Sequence, residues 1–177
     1  MNLFLTSVSS CVSEIESFKE IINSQTRLVI LPINHHDKYI SCAEDIYNHY
    51  DRDVSNCDSI YWKTVKPFID AGINSDRITV LNQYTDTKEY IEYVLSRDNT
   101  ILYLGGGYPE KIIKNVSKFN LYDAIAKCKV IVGESAGSMC VFNDFFVYVD
   151  HYDYEEYDEY KGLKLLNKAT ILPHLNR

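Results

Sequence analysis

Val130-Ile131-Val132-Gly133-Glu134-Ser135-Ala136-Gly137 decides how this chain is read. Three consecutive β-branched residues predict a short strand buried on both faces, the mark of a parallel sheet. The strand runs directly into Gly-x-Ser-x-Gly. A sharp strand-to-helix turn there would strain Ser135 and expose its hydroxyl, while Gly133 and Gly137 let the chain pass close by. The next helix points its N-terminus at the serine, so the Ala136 amide is a candidate oxyanion donor. GxSxG arises by chance in many chains; its place after an all-apolar strand gives it weight here.

Working outward, the same strand signal recurs between helical patterns. Leu3–Leu5, Leu28–Leu31 (halted by Pro32), Ile78–Leu81, Ile101–Leu104, Phe145–Val149 and Ala169–Leu172 read as further strands. Val12 to Ile22, Tyr39–Tyr50, Ile60–Ile73, Thr87–Leu95 (with Asp86 or Thr85 as cap), Glu110–Val116 and Leu121–Cys128 read as helices. Strands alternating with helices predict an α/β fold, a three-layer doubly wound, mostly parallel sheet with helices on both faces. Asp150–Tyr160, with six carboxylates and four tyrosines, reads as a solvated loop. No repeat or linker divides residues 1–177, so a single domain is expected.

Composition narrows the function. Apolar residues make up 46% and charged residues 24% of the 177, an ordinary globular balance. The formal net charge of −7 argues against a nucleic-acid partner, which needs a basic face. The five cysteines form no CxxC pair and leave one over, which fits reduced thiols and a cytoplasmic setting. The first residues lack a signal-peptide pattern, and no apolar run is long enough to span a membrane.

In a parallel α/β sheet, ligands bind outside the carboxyl ends of the strands. Gly105-Gly106-Gly107 falls there, after Ile101–Leu104, and uses three of only seven glycines. Such a turn brings backbone N–H groups close to a ligand without side chains in the way. It lacks the GKS/GKT ending or GxGxxG spacing of a phosphate cradle. A serine nucleophile needs a base. His174, in Ile171-Leu172-Pro173-His174, follows a predicted strand; His151 beside the acidic segment is a rival, and His35 and His36 follow Leu28–Leu31. As a metal pair His35 and His36 lack a third ligand. Nothing calls for a cofactor. Cys140 falls inside the helix after the serine and reads as core.

At these words the sequence resembles the peptidase E (aspartyl dipeptidase)- and cyanophycinase-like serine peptidases, with a class I glutamine amidotransferase-like fold. The matching stretches are Leu102-Tyr103-Leu104-Gly105-Gly106-Gly107, Val132 to Met139, and Gly162-Leu163-Lys164-Leu165-Leu166 leading to Ile171-Leu172-Pro173-His174. The resemblance implies a cofactor-free Ser–His–acid triad cleaving small peptides or related amides through an acyl-enzyme. Ser135 would be nucleophile, His174 general base and then acid, and Asp150 the acidic member, with Asp153 and Glu155 as fallbacks. Gly106 and Ala136 would supply the oxyanion hole. Two departures stand beside it. Arg177 comes three residues after His174, where the family usually continues with further elements; a reduced member of the family, a fragment, or a homo-oligomer that covers an open sheet edge would each account for this. The acidic segment beside the site disfavours the aspartyl specificity. A catalytically silent binding member of the fold and an esterase are the alternative readings. Glutaminase domains share the glycine-rich turn but use Cys where this chain has Ser135.

Overall fold

A computed structural model describes residues 1–51, 59–151, 154–166 and 170–171. Strands β1 (Asn2–Thr6), β2 (Arg27–Ile30), β3 (Ile78–Val80), β4 (Thr100–Leu104) and β5 (Val130–Glu134) form one sheet. Their order is β1-β5-β4-β2-β3, and every neighbouring pair is parallel. Side chains alternate across a strand, so each apolar run feeds two cores at once. Leu28, Ile30, Ile101, Tyr103 and Val132 enter one core with Val12, Phe18, Val65 and Phe68. Val29, Leu102, Leu104 and Ile131 enter the other with Ile91, Leu95, Ile112 and Ile125.

Helices cover both faces, as the apolar runs require. The first face carries α1 (Glu16–Lys19), α2 (Ala43–His49) and α3 (Ile60–Asp70). The second carries α4 (Lys88–Ser96), α5 (Pro109–Lys118), α6 (Tyr122–Ala126) and α7 (Ala136–Cys140). The expected Val12–Ile22 helix divides instead into a 3-10 turn, Ser9–Glu14, and α1, with Ile15 extended between them. The cap of α4 also differs from expectation. Thr87 accepts the Tyr90 N–H at 3.2 Å, while Asp86 is spent on the Asn82 N–H at 2.8 Å.

The chain after α7 departs further from the sequence reading. β6 (Asp144–His151) and β8 (Thr170–Ile171) do not join the main sheet. Only residues 135–143 separate β5 from β6, fewer than the dozen or so that a parallel crossover takes. β6 instead pairs antiparallel with β7 (Tyr154–Lys161), and β8 lies parallel on its other side. The acidic segment is therefore largely a strand rather than a solvated loop. Tyrosine favours strands, and Phe145 stacks on its partner Tyr160 with ring centroids 5.4 Å apart. The chain leaving β7 caps α7: Leu163 and Leu165 donate to the Cys140 and Val141 carbonyls at 2.7 and 2.9 Å. Among the described residues, no helix is long and apolar enough to cross a membrane.

Candidate active site

Ser135 stands between β5 and α7 with φ 47° and ψ −109°, a left-handed conformation that costs a non-glycine residue about 1–3 kcal/mol. It is exposed while Gly133, Ala136, Gly137 and Ser138 around it are buried. The strain is held by neighbours on both sides. Ser135 N–H donates to the Thr6 carbonyl of β1 at 2.8 Å. The Ser138 hydroxyl accepts the Thr6 N–H at 3.2 Å and lies 2.7 Å from the Gly133 carbonyl oxygen. Gly137 packs so closely on β4 that a Cβ would overlap the Leu104 carbonyl oxygen. A larger residue at 137 would push α7, and Ser135 with it, off the sheet.

The glycine-rich turn after β4 closes on the same point. A Cβ placed on Gly106 would lie 3.3 Å from the Ser135 Cβ and 3.6 Å from Glu134 Oε1. Buried Asn34 fixes the turn from the loop after β2: its Nδ2 donates to the Gly106 carbonyl, and its own carbonyl accepts the Tyr108 N–H at 3.0 Å. Two more buried carboxamides hold that loop, Gln83 on the Pro32 carbonyl at 3.2 Å and Asn115 on the Ile33 carbonyl at 2.9 Å. Among the described residues, neither the Gly106 nor the Ala136 N–H has an acceptor. Two donors beside one exposed hydroxyl are suited to holding an oxyanion.

Behind Gly106 lies a cavity of about 170 Å³. Glu134 stands on its wall and accepts a hydrogen bond from the Tyr103 hydroxyl through Oε2. His35 Nε2 and the Tyr50 hydroxyl are 2.9 Å apart, and the rings of His35 and His49 meet edge-on at 4.5 Å. Burial first, and the neighbouring His49 second, lower His35 from 6.5 to about 4. Burial and then the charge of Glu134 push the Tyr50 hydroxyl up. Cys140 is buried with Sγ 3.4 Å from the Pro109 carbonyl oxygen, and burial raises its thiol, so it is core and no nucleophile. Among the described residues, no three His, Cys, Asp or Glu side chains group to hold a metal.

The structure thus brings Ser135, Ala136 and Gly106 together. Asp150 lies on β6, its backbone opposite that of Glu155 on β7, and rival His151 ends β6 opposite Tyr154. His174 and Asp153 fall outside the described residues. His36 sits at the rim, its ring 5.5 Å from that of Tyr108. Asn34, Tyr50 and Glu134 have no role that the sequence alone points to. Asn34 and Tyr50 lie in no motif and Glu134 is a variable position of Gly-x-Ser-x-Gly; they meet because the loop after β2, the end of α2 and the end of β5 open on one cavity.

Residues 53–177 match the model of peptidase family S51. The chain belongs to that family. Among solved structures, a candidate peptidase E protein from Listeria monocytogenes EGD-e is similar at 20% identity, with a TM-score of 0.58 over 94% of this chain and 75% of that one. A peptidase from an acI-B1 Actinobacterium is similar at 14% identity, with a TM-score of 0.52 over 92% of this chain and 64% of that one. At these identities the likeness is one of fold, and it covers the α/β sheet on which this S51 chain carries Ser135. No curated protein sequence matches the chain.

Proposed function

We propose that the chain is a serine peptidase cleaving small peptides or related amides through Ser135, His174 and Asp150. The observation that carries the reading is Ser135 itself, exposed in a left-handed conformation at the carboxyl end of β5 with Gly106 against its Cβ. His174 takes the Ser135 proton as the hydroxyl oxygen attacks the scissile carbonyl. The Gly106 and Ala136 amides hold the oxyanion that forms. His174 then returns the proton to the leaving amine, and water attacks the acyl-enzyme with the same histidine as base. Asp150 orients His174. Support for the acid and base comes from the order of the chain: β8 runs parallel to the strand bearing Asp150, and His174 follows three residues later.

The test is labelling with a fluorophosphonate read by intact mass, alongside turnover of a dipeptide panel and short-chain esters. Such probes react with a serine activated by a base. Wild type is expected to gain one label and hydrolyse dipeptides, and Ser135→Ala to lose both, turnover falling by ~10⁵-fold or more. Turnover that survives in folded Ser135→Ala would overturn the reading. Esters cleaved in place of peptides would move it to an esterase.

A further inference from the structure

The cavity behind Gly106 has a wall whose side-chain hydrogen-bond donors, the Thr64 hydroxyl apart, are largely used within the protein. The Tyr103 hydroxyl is committed to Glu134, Asn34 Nδ2 to the Gly106 carbonyl, and the Tyr50 hydroxyl and His35 to each other. One strong acceptor remains. Among the described residues, Glu134 Oε1 has no hydrogen-bonding partner, and it lies at the Gly106 side of the cavity, 3.6 Å from that residue's Cβ position. No lysine or arginine lines the cavity among the described residues. His35, held neutral at pH 7 by burial, adds no positive charge. A carboxylate with one oxygen left without a partner in the protein, facing an open cavity, is completed best by a cationic donor. An acidic substrate side chain would meet the opposite of what it needs.

We propose that this cavity is a substrate subsite that takes a primary ammonium group, held by Glu134 beside the scissile carbonyl. It rests on the peptidase reading for the position of that carbonyl and adds the class of substrate: peptides with a cationic group, in place of an acidic one, next to the bond. The ammonium has two sources, the substrate's own N-terminus or a lysine-like side chain. Both present the same chemistry to Glu134.

Binding without turnover separates this inference from the catalytic one. Calorimetric titration of the full-length Ser135→Ala protein at pH 7 compares lysinamide, norleucinamide, N-acetyl-lysinamide and N-acetylnorleucinamide. The last carries neither ammonium group. Ligands with the recognised ammonium are expected to bind about tenfold or more tightly than N-acetylnorleucinamide. Retention by norleucinamide identifies the N-terminal source, and retention by N-acetyl-lysinamide the side chain. Glu134→Gln keeps an acceptor for Tyr103 and loses the charge; its preference should vanish. Equal binding of all four ligands, no binding at millimolar concentration, tighter binding of aspartic diamide, or a preference that persists in Glu134→Gln would overturn the proposal. Should Glu134→Gln fail to fold, the ligand series on Ser135→Ala decides alone. Charge-selective binding without Ser135-dependent hydrolysis sinks the peptidase reading only, and hydrolysis without charge preference sinks the subsite only.

Discussion

Ser135 keeps an unfavourable backbone conformation because groups on three elements hold it there. Thr6 accepts its N–H, Ser138 ties the turn to Thr6 and Gly133, and Gly137 lets α7 rest directly on Leu104. The motif made Ser135, Gly133 and Gly137 legible, since each has a local reason to be there. Asn34, Tyr50 and Glu134 were not, because their roles come from residues far away in the chain. His35 shows the same distance effect and gives a pH prediction. Unfolded, it takes up a proton near pH 6.5; folded, burial delays uptake to about 4. The unfolded state therefore binds more protons in that window. Stability should be whole above pH 6.5 and fall as pH drops toward 4, by about 2 kcal/mol once residual solvent screening is allowed for. Urea midpoints across this range check it. Replacing His35 with Gln should flatten the slope, and an unchanged slope would remove His35 as its source.

At the scale of elements, periodic apolar spacing located the main-sheet strands and nearly every helix, because each must bury a stripe or a face on the same sheet. Ends were less legible. Thr85, Asp86 and Thr87 are all plausible caps by residue type, and the choice fell to Thr87 because Asp86 was engaged by Asn82. Thr87→Ala should lower stability by about 1 kcal/mol through loss of that cap, read as a shift in the urea midpoint with its slope unchanged. Thr85→Ala serves as the control and should leave the midpoint in place. Equal effects of the two would mean that the helix end does not depend on the cap.

For the whole molecule, the β6–β7 hairpin is anchored in the same core as α7. Phe145 is fully buried with Leu163 among residues of the main sheet's second face, and it stacks on Tyr160. Phe145→Ala should cost about 3–5 kcal/mol. Chemical denaturation should show one cooperative loss in place of a separate early unfolding of the hairpin; a small cost with an early phase would mean the hairpin stands apart. The sequence by itself determined the parallel α/β sheet, its two covered faces and the strained serine at a strand's carboxyl end. Those follow from periodicity and from turn chemistry within a few residues. Only the tertiary structure decided that the chain after α7 builds a second sheet, and that Asn34, Glu134 and Tyr103 converge on Gly106. The first depends on a connection too short to return to the parallel sheet. The second depends on contacts between residues as many as 72 positions apart, which no local pattern encodes.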